Sequence, residues 1–379
     1  MQRALIVGES NGIGMAIAME LKSYCDKIYI VDKVEPDGAL CPQLEFYKFD
    51  LRNDDFSFFD RFKDVDSLFI TAGFGRVAPF EQLLDTEIRN SFAVNASGCI
   101  RVVRCFYEKL MGKRDFYCAI MGSIAGLISS PLFAVYGATK ASLCRFIESV
   151  NIELEMADSP NRILNVSPGS IQGTRFNGGK NDWTRISELA RKIVERTKNR
   201  SMIYIPQYQE TFGAVIERYN SDPHAFGIQS YEYKKAGNRD SSKPQLKIGY
   251  LSGTFDLFHI GHLNLLRRAK EYCDYLVVGV HPDASHKGKQ TYISFDERIE
   301  IVRNIKYVDR AIMAPREDSD VYETGILKFD FLFVGSDYKN TERFKAYEAY
   351  FVDKGVKIVY FPYTQGTSSS QLRAALIKK

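Results

Sequence analysis

The chain has 379 residues, too many for one ordinary hydrophobic core, and at about 150 residues per domain it should hold two or three domains, with two as the working expectation. Its hydrophobic content of 45% and charged content of 26% are those of a globular protein, and no apolar run approaches the roughly 18 residues of a membrane span, so no membrane insertion is expected. The net charge of +4 is spread without long basic runs and gives no reason to expect a nucleic-acid partner.

The opening MQRALIVGES runs directly into a strand-like segment with no small-residue cleavage site, which predicts a cytoplasmic protein. The seven cysteines form no CxxC or other metal-ligand spacing and mostly fall in apolar segments, the pattern of reduced core thiols.

In chain order, RALIVGESNGIGMAIAMEL gives a β-branched strand, a Gly-containing turn and a helix. Apolar runs at 28–31, 67–70, 117–121 and 163–166 then alternate with helical stretches such as 139–156. This grammar predicts an α/β fold, a doubly wound Rossmann-type parallel sheet of about seven strands. Residues 234–245, KKAGNRDSSKPQ, are polar, contain Gly, Ser and Pro and lack a hydrophobic period, so they read as a linker between a domain at 1–233 and another at 246–379. The second domain opens on the same grammar, LKIGYLSGTFDLFHIGHLNLLRRAKEY, and has further strands at 275–280, 331–334 and 357–361. A smaller parallel α/β sheet of about five strands is expected there, with ligands at the carboxyl ends of the strands.

Gly8, Gly12 and Gly14 in GESNGIG lie between the first strand and its helix, where Ser10, Asn11 and Ile13 complete a loop able to cradle a pyrophosphate at a helix N-terminus. Downstream stand Asn95 in SFAVNASG, Ser123 after YCAIMG, and Tyr136 and Lys140 in YGATK. A phenol with an ordinary pKa of about 10 is a poor acid or base at neutral pH unless a nearby cation favours its phenolate, and Lys140 lies one helical turn away.

This set resembles the short-chain dehydrogenase/reductase family over roughly residues 1–230. The resemblance implies that Tyr136 protonates a carbonyl oxygen while hydride arrives from a nicotinamide, that Ser123 hydrogen-bonds that oxygen, and that Asn95 holds a water relaying protons to Lys140. It also implies cofactor contacts from Asp50 and Leu51 beside the adenine, from Ala72 and Gly73, and from Pro168, Gly169, Ile171 and Thr174 near the nicotinamide. TAGF at 71–74 departs from the family's usual NNAG, and Glu9 puts an acid in the glycine loop. Asp32, ending the strand IYIVD, can accept from a ribose 2′-OH and would repel a 2′-phosphate, so NAD(H) is favoured over NADP(H), although Lys33 could pair with a phosphate.

In GTFDLFHIGH, at 253–262, the two histidines are HxxH with Ile and Gly inside, not the HExxH of a zinc protease, and there is no clustered third ligand. The segment resembles the signature of the cytidylyltransferase branch of the nucleotidyltransferases, especially glycerol-3-phosphate cytidylyltransferases, over about 246–375. This makes the second domain a Rossmann-like nucleotidyltransferase domain in which a substrate phosphate attacks the α-phosphorus of CTP and pyrophosphate leaves. His259 and His262 would donate to phosphate oxygens, Gly261 would leave room for the triphosphate, and Gly253, Thr254 and Phe255 would line it. Lys287 and Lys289 would serve as mobile cations, Arg298 as a CTP contact, and Gly335, Asp337 and Tyr338 as contacts to the base. Mg2+ would ride on the CTP phosphates, with Asp256 a candidate ligand. YTQGTSSS at 363–370 resembles the family's RTEGISTT and brings in Tyr363, Thr364, Gly366, Thr367, Ser368 and Ser369. Tyr363 stands where the family has arginine, and Lys339 and Arg343 are candidate replacement cations.

Together the two resemblances imply a bifunctional enzyme that makes a CDP-alditol, a donor for capsule or teichoic-acid-like polymers, from a keto-sugar phosphate, either step coming first. Loops at 172–215 and 281–295, with Trp183 and Arg185 in the first, would read the polyol. A redox-sensing, non-catalytic first domain and an ATP-dependent adenylyl transferase are the alternatives, and both families suggest a homo-oligomer.

Overall fold

The computed structural model describes residues 1–8, 10, 12–37, 41–52, 55–171, 182–237, 246–284, 290–362 and 371–373, with the backbone alone at 183. The chain divides into two compact units, Met1–Pro244 and Gln245–Lys379.

The first unit holds one sheet of seven strands: β1 (Arg3–Val7), β2 (Lys27–Asp32), β3 (Leu44–Lys48), β4 (Ser67–Ile70), β5 (Tyr117–Met121), β6 (Ile163–Val166) and β7 (Ile203–Tyr204). All pairs are parallel, in the order β3-β2-β1-β4-β5-β6-β7. The central strands are continuous apolar runs because helices cover both faces. The helices are α1 (Ile13–Leu21), α2 (Asp85–Phe92), α3 (Cys99–Cys105), α4 (Tyr107–Met111), α5 (Ala134–Met156), α6 (Trp183–Lys198), α7 (Gly213–Ser221) and α8 (Pro223–Ala236). Helices α1 and α6 pack with Ala4, Ile6 and Ile30 on one face, and α3, α4 and α5 pack with Leu5, Val7 and Ile70 on the other. The strand order reverses between β1 and β4, whose carboxyl ends therefore open a crevice.

Two boundaries differ from the sequence reading. Helix α5 begins at Ala134, ahead of the stretch expected from 139, so Tyr136 sits in its first turn. Its buried residues Gly137, Lys140, Leu143, Cys144, Ile147, Val150 and Leu154 recur at three- and four-residue spacing, one helical stripe. Residues 234–236 are not linker but the last turn of α8. That helix is capped by Asp222, which accepts from the N–H groups of His224 (3.1 Å) and Ala225 (2.9 Å). Lys234 ties its end to the first unit by donating to Ser130 Oγ at 2.8 Å and Pro131 O at 2.7 Å.

The second unit has a five-stranded parallel sheet of β8 (Ile248–Gly253), β9 (Tyr275–Val280), β10 (Arg310–Met313), β11 (Phe331–Gly335) and β12 (Lys357–Phe361), ordered β10-β9-β8-β11-β12. Helices α9 (Ile260–Tyr272) and α10 (Phe295–Arg303) cover one face, and α11 (Asp318–Glu323) and α12 (Glu342–Val352) the other. Strand β8 pairs with β9 along all six of its residues but with β11 only at Gly249 and Tyr250. Beyond them the two central strands part, and this is where the strand order reverses. Among the described residues, no helix is long and apolar enough to cross a membrane.

Candidate active sites

Gly8 follows β1 with φ of +95°, and a Cβ there would lie 2.4 Å from the backbone of Ala72, so the turn admits no side chain. This close approach locks the loop after β1 onto the loop after β4. Thr71 strengthens the contact by donating Oγ1 to the carbonyl of Gly8 at 2.8 Å. Gly12 caps α1, whose first turn buries Ile13 and Gly14, and Ser10 is buried beside them. Asp32, at the carboxyl end of β2, accepts from the N–H of Ser10 at 2.7 Å, so its carboxylate stands at the crevice beside the glycine loop. The cradle fits a dinucleotide: a side-chain-free turn, a helix N-terminus and a carboxylate at the second strand end.

Asp50 is engaged by Arg52, whose Nε lies 3.0 Å from both carboxylate oxygens. Burial raises the pKa of Asp50, but the hydrogen bonds and charge of Arg52 outweigh it and hold the group below its ordinary value. Leu51 and Ala72 are buried.

Asn95 lies in a π-helical turn at Ala93–Gly98 and is fully buried. Its Oδ1 accepts from the N–H of Phe74 at 3.0 Å, and its Nδ2 donates to Phe74 O at 2.8 Å and Thr139 Oγ1 at 3.1 Å. Lys140, 1% exposed, donates Nζ to the carbonyl of Met121 at 2.7 Å and lies 5.8 Å from the ring centre of Tyr136. Gly73 joins the two groups: a Cβ on it would lie 3.0 Å from Lys140 Nζ and 3.5 Å from Asn95 Oδ1. Thus TAGF keeps its glycine at the one place where a larger residue would push Lys140 away. Ser123, buried after β5, accepts from Ala125 N at 3.2 Å and reaches Pro168 O at 3.5 Å. Gly169 and Ile171 follow Pro168 in the loop after β6.

In the second unit His259 caps α9, accepting at Nδ1 from the N–H of Gly261 at 3.0 Å. A nitrogen that accepts carries no proton, so the neutral ring holds its proton on Nε2 and is a donor there. Burial lowers the His259 pKa, which favours this neutral form. The rings of His259 and His262 stack with centres 4.0 Å apart, and Phe255 and Phe258 pack against His262 at 5.3 and 5.5 Å. Phe255 and Leu257 have φ of +54° and +50°, so the loop between β8 and α9 holds a strained backbone that its surroundings must enforce. Gly253 ends β8, and the Oγ1 of Thr254 is buried without a partner among the described residues. Gly335, Asp337 and Tyr338 follow β11 across the opening.

Two family models match the chain: short chain dehydrogenase over residues 2–185 and cytidylyltransferase-like over residues 250–375. The glycerol-3-phosphate cytidylyltransferase of Staphylococcus aureus is 34% identical over 131 residues, 34% of this chain and 92% of that protein. Its counterpart in Bacillus subtilis is 34% identical over 125 residues, 32% of this chain and 90% of that protein. The chain belongs to the cytidylyltransferase family and carries a short-chain dehydrogenase domain. The fold of the dehydrogenase unit is similar to a crystal structure of a short chain dehydrogenase from Burkholderia cenocepacia in complex with NADP, with a TM-score of 0.51, 22% identity, 61% of this chain and 99% of that one covered. Both units are members of enzyme families.

Two expectations for the cytidylyltransferase unit are corrected by its geometry. Arg298 does not face the signature as a free cation: it is fully buried and gives its donors to the carbonyls of Ile293, Thr254, His281 and Pro282. It ties the loop after β8 to the end of β9, because a buried guanidinium must satisfy its donors locally. Asp256 is not placed as a Mg2+ ligand: its oxygens accept from the N–H groups of Tyr292 (3.1 Å) and Ile293 (3.0 Å) and from Nη2 of Arg373 (2.9 Å). Arg343, a candidate replacement for the family arginine, pairs with Glu317 at 3.0 Å and donates to the hydroxyl of Tyr347. Lys339 is exposed and lies 5.8 Å from the ring centre of Tyr360.

Glu9, Asn11, Thr174, Lys287, Lys289, Tyr363, Thr364, Gly366, Thr367, Ser368, Ser369 and the side chain of Trp183 lie outside the described residues. Arg185 is exposed and sits 3.4 Å from Asp182. Among the described residues, no group of three His, Cys, Asp or Glu could hold a metal ion.

The sequence reading missed Thr139, Phe133 and Arg373. Thr139, inside YGATK, hydrogen-bonds Asn95, and Phe133 stacks on Tyr136 with centres 4.2 Å apart at 15°. Phe133 precedes Tyr136 by three residues, a helical spacing that was available as a signal. Arg373 gave a weaker one, a single basic residue ahead of the apolar run AALI.

Proposed function

We propose that the chain makes a CDP-alditol: the dehydrogenase unit reduces the ketone of a sugar phosphate or of its CDP adduct, and the cytidylyltransferase unit couples the phosphate to CMP. The observation that carries this reading is the joining on one chain of two sites with complementary chemistry, one for a carbonyl and one for a phosphate. The curated relatives bearing the name glycerol-3-phosphate cytidylyltransferase support an alditol phosphate as the acceptor.

In the first site NADH, favoured over NADPH because Asp32 faces the glycine loop, would supply hydride to the carbonyl carbon. Tyr136 gives its phenolic proton to the carbonyl oxygen, and Ser123 donates a hydrogen bond to that oxygen once released from Pro168. The Lys140 ammonium stabilises negative charge left on the phenol, and Asn95 fixes the loop at Phe74 while sharing the space at Gly73 with Lys140.

In the second site an oxygen of the acceptor phosphate attacks the α-phosphorus of CTP, and the bond to the β-phosphate breaks to release pyrophosphate. No covalent enzyme intermediate is required, so orientation and charge stabilisation are the protein's contribution. The Nε2–H of His259 is the donor that the hydrogen bond at Nδ1 fixes in place, with His262 stacked beside it. Mg2+ enters with CTP rather than on Asp256. The product would supply polyol phosphate to a cell-surface polymer from the cytoplasm, by a chain that acts as a homo-oligomer.

The test is incubation of the full chain with CTP, Mg2+, NADH and a panel of ketose phosphates, followed by mass identification of the products. A CDP-alditol formed only when NADH and CTP are both present is expected. Pyrophosphate release with ATP in preference to CTP, or NADH left unoxidised by every ketose phosphate and its CDP adduct, would overturn the reading.

A further inference from the structure

Among the described residues, Oη of Tyr250, Oγ1 of Thr254 and Oδ1 of Asp318 are buried near the carboxyl end of β8 with no hydrogen-bond partner. Buried polar atoms are nearly always hydrogen-bonded, so a group of orphans marks a place that a ligand or water completes. Tyr250 and Ser252 alternate with Leu251 along β8 and share the face covered by α11 and α12, and Thr254 follows two residues on. The Tyr250 hydroxyl reaches over Gly279 of β9. Asp318 begins α11 just after β10, so it too stands at the carboxyl edge of the sheet, close to Ser252 of β8. Tyr250 is 0% exposed and Asp318 5%, which rules out bulk water as their partner.

Around Asp318 the neighbouring polar groups are satisfied. Tyr347 donates to Glu317 at 2.6 Å and accepts from the N–H of Asp318 at 2.9 Å and from Arg343 at 3.0 Å. Arg343 also lies 4.0 Å from Oδ2 of Asp318 and supplies that carboxylate with positive charge. What remains unmet is one carboxylate acceptor and two hydroxyls, each able to donate and accept. A chain of hydroxyl groups matches that set, whereas a cationic group would duplicate Arg343.

We propose that Asp318, Ser252 and Tyr250 bind the hydroxyl groups of the acceptor whose phosphate lies at Thr254 and His259. The proposal rests on the alditol phosphate reading given above and adds the residues that select among polyols. Ser252, half-buried at the strand end, is the entry to the file, and Tyr250 its deepest member. Acceptors with more hydroxyls reach Tyr250, and glycerol phosphate stops short of it.

The test measures pyrophosphate release by the full chain with CTP and phosphates of glycerol and of longer alditols, for the parent chain, Asp318→Asn and Tyr250→Phe. Asp318→Asn should raise KM for every alditol phosphate by about tenfold, the loss of a hydrogen bond to a charged group, while leaving KM for CTP unchanged. Tyr250→Phe should raise KM for longer alditol phosphates and spare glycerol phosphate. It removes only an oxygen that has no partner, so it keeps the test alive should Asp318→Asn fail to fold. Acceptor KM values unchanged in the folded variants would mean that the orphans hold water, and a parallel rise in KM for CTP would mean that they shape the nucleotide site; either result overturns the proposal. A parent chain inactive on every alditol phosphate removes the functional reading itself, and an active parent with indifferent variants removes only this inference.

Discussion

Arg373 holds Nη2 2.9 Å from Oδ2 of Asp256, an ion pair in which the carboxylate is fully buried and the guanidinium side chain 18% exposed. Asp256 belongs to the histidine signature and Arg373 lies 117 residues away, so the pair fastens the far end of the chain to the loop between β8 and α9. Removing one partner of such a pair leaves an uncompensated charge, at a cost of about 3 kcal/mol. Arg373→Ala should lower the unfolding temperature of the transferase unit and depress pyrophosphate release, while NADH oxidation stays at the parent rate. Calorimetry resolving two transitions checks it; an unchanged second transition would refute the role of the pair.

The two active sites should fail separately. Tyr136→Phe is expected to cut ketose phosphate reduction by about a hundredfold or more, the scale of general acid catalysis, with pyrophosphate release intact. His259→Ala should do the reverse, with a loss of about a hundredfold from removing one oriented donor. Parallel assays of NADH oxidation and pyrophosphate release decide each assignment.

Acid should silence the transferase before the reductase. Burial lowers the pKa of His259 from its ordinary 6.5, so the ring is neutral from that value upward and protonates only as pH falls through its depressed folded value. Protonation of Nδ1 would break its bond from Gly261. The stability held by the neutral ring is present above the unfolded pKa and is lost as pH falls below it. Pyrophosphate release should therefore be flat above pH 6.5 and decline on acidification. His259→Asn, which has no titrating ring, should lose that acid limb in a pH–rate profile.

Asp318 titrates in the opposite sense. Burial raises its pKa, aided by Glu317 and Asp320 and opposed by the nearby Ser252 hydroxyl and the charge of Arg343. The folded state thus holds the proton more tightly than the unfolded state, and stability falls as pH rises from the ordinary value of 3.8 through the raised one. Asp318→Asn should flatten this part of the stability curve in denaturant titrations across pH. An unaltered curve would show that the carboxyl is ionised throughout.

Gly8→Ala should disable the first unit. The new methyl would meet the Ala72 backbone at 2.4 Å, and φ of +95° is unfavourable for any residue with a Cβ. Strain and overpacking together cost about 2–4 kcal/mol. NADH binding, read by fluorescence titration, should weaken, with CTP binding unchanged.

Much of this was legible in the sequence because it is local. The apolar runs of β1, β4 and β8 have no polar alternation and can only be central parallel strands. Tyr136 and Lys140 share a helical face by their spacing alone, and Gly8 and Gly12 mark a turn that side chains would block. The boundary at 234 was misread because Lys234 and its neighbours are polar; their helix is held by Asp222 before it and by Ser130 and Pro131, about a hundred residues away.

The sequence by itself determined the two strand-turn-helix openings, the order of the motifs and the residue types that carry acid, base and phosphate chemistry, since each depends on spacing within one turn or one strand. Tertiary structure alone decided which charges are available. Arg298 and Asp256 look like free ionic groups in the chain, yet burial obliges each to satisfy itself on carbonyls, N–H groups or an opposite charge brought from distant elements. Only the folded state could likewise leave, among the described residues, Oη of Tyr250, Oγ1 of Thr254 and Oδ1 of Asp318 unpaired, because an orphan exists only where packing has excluded water.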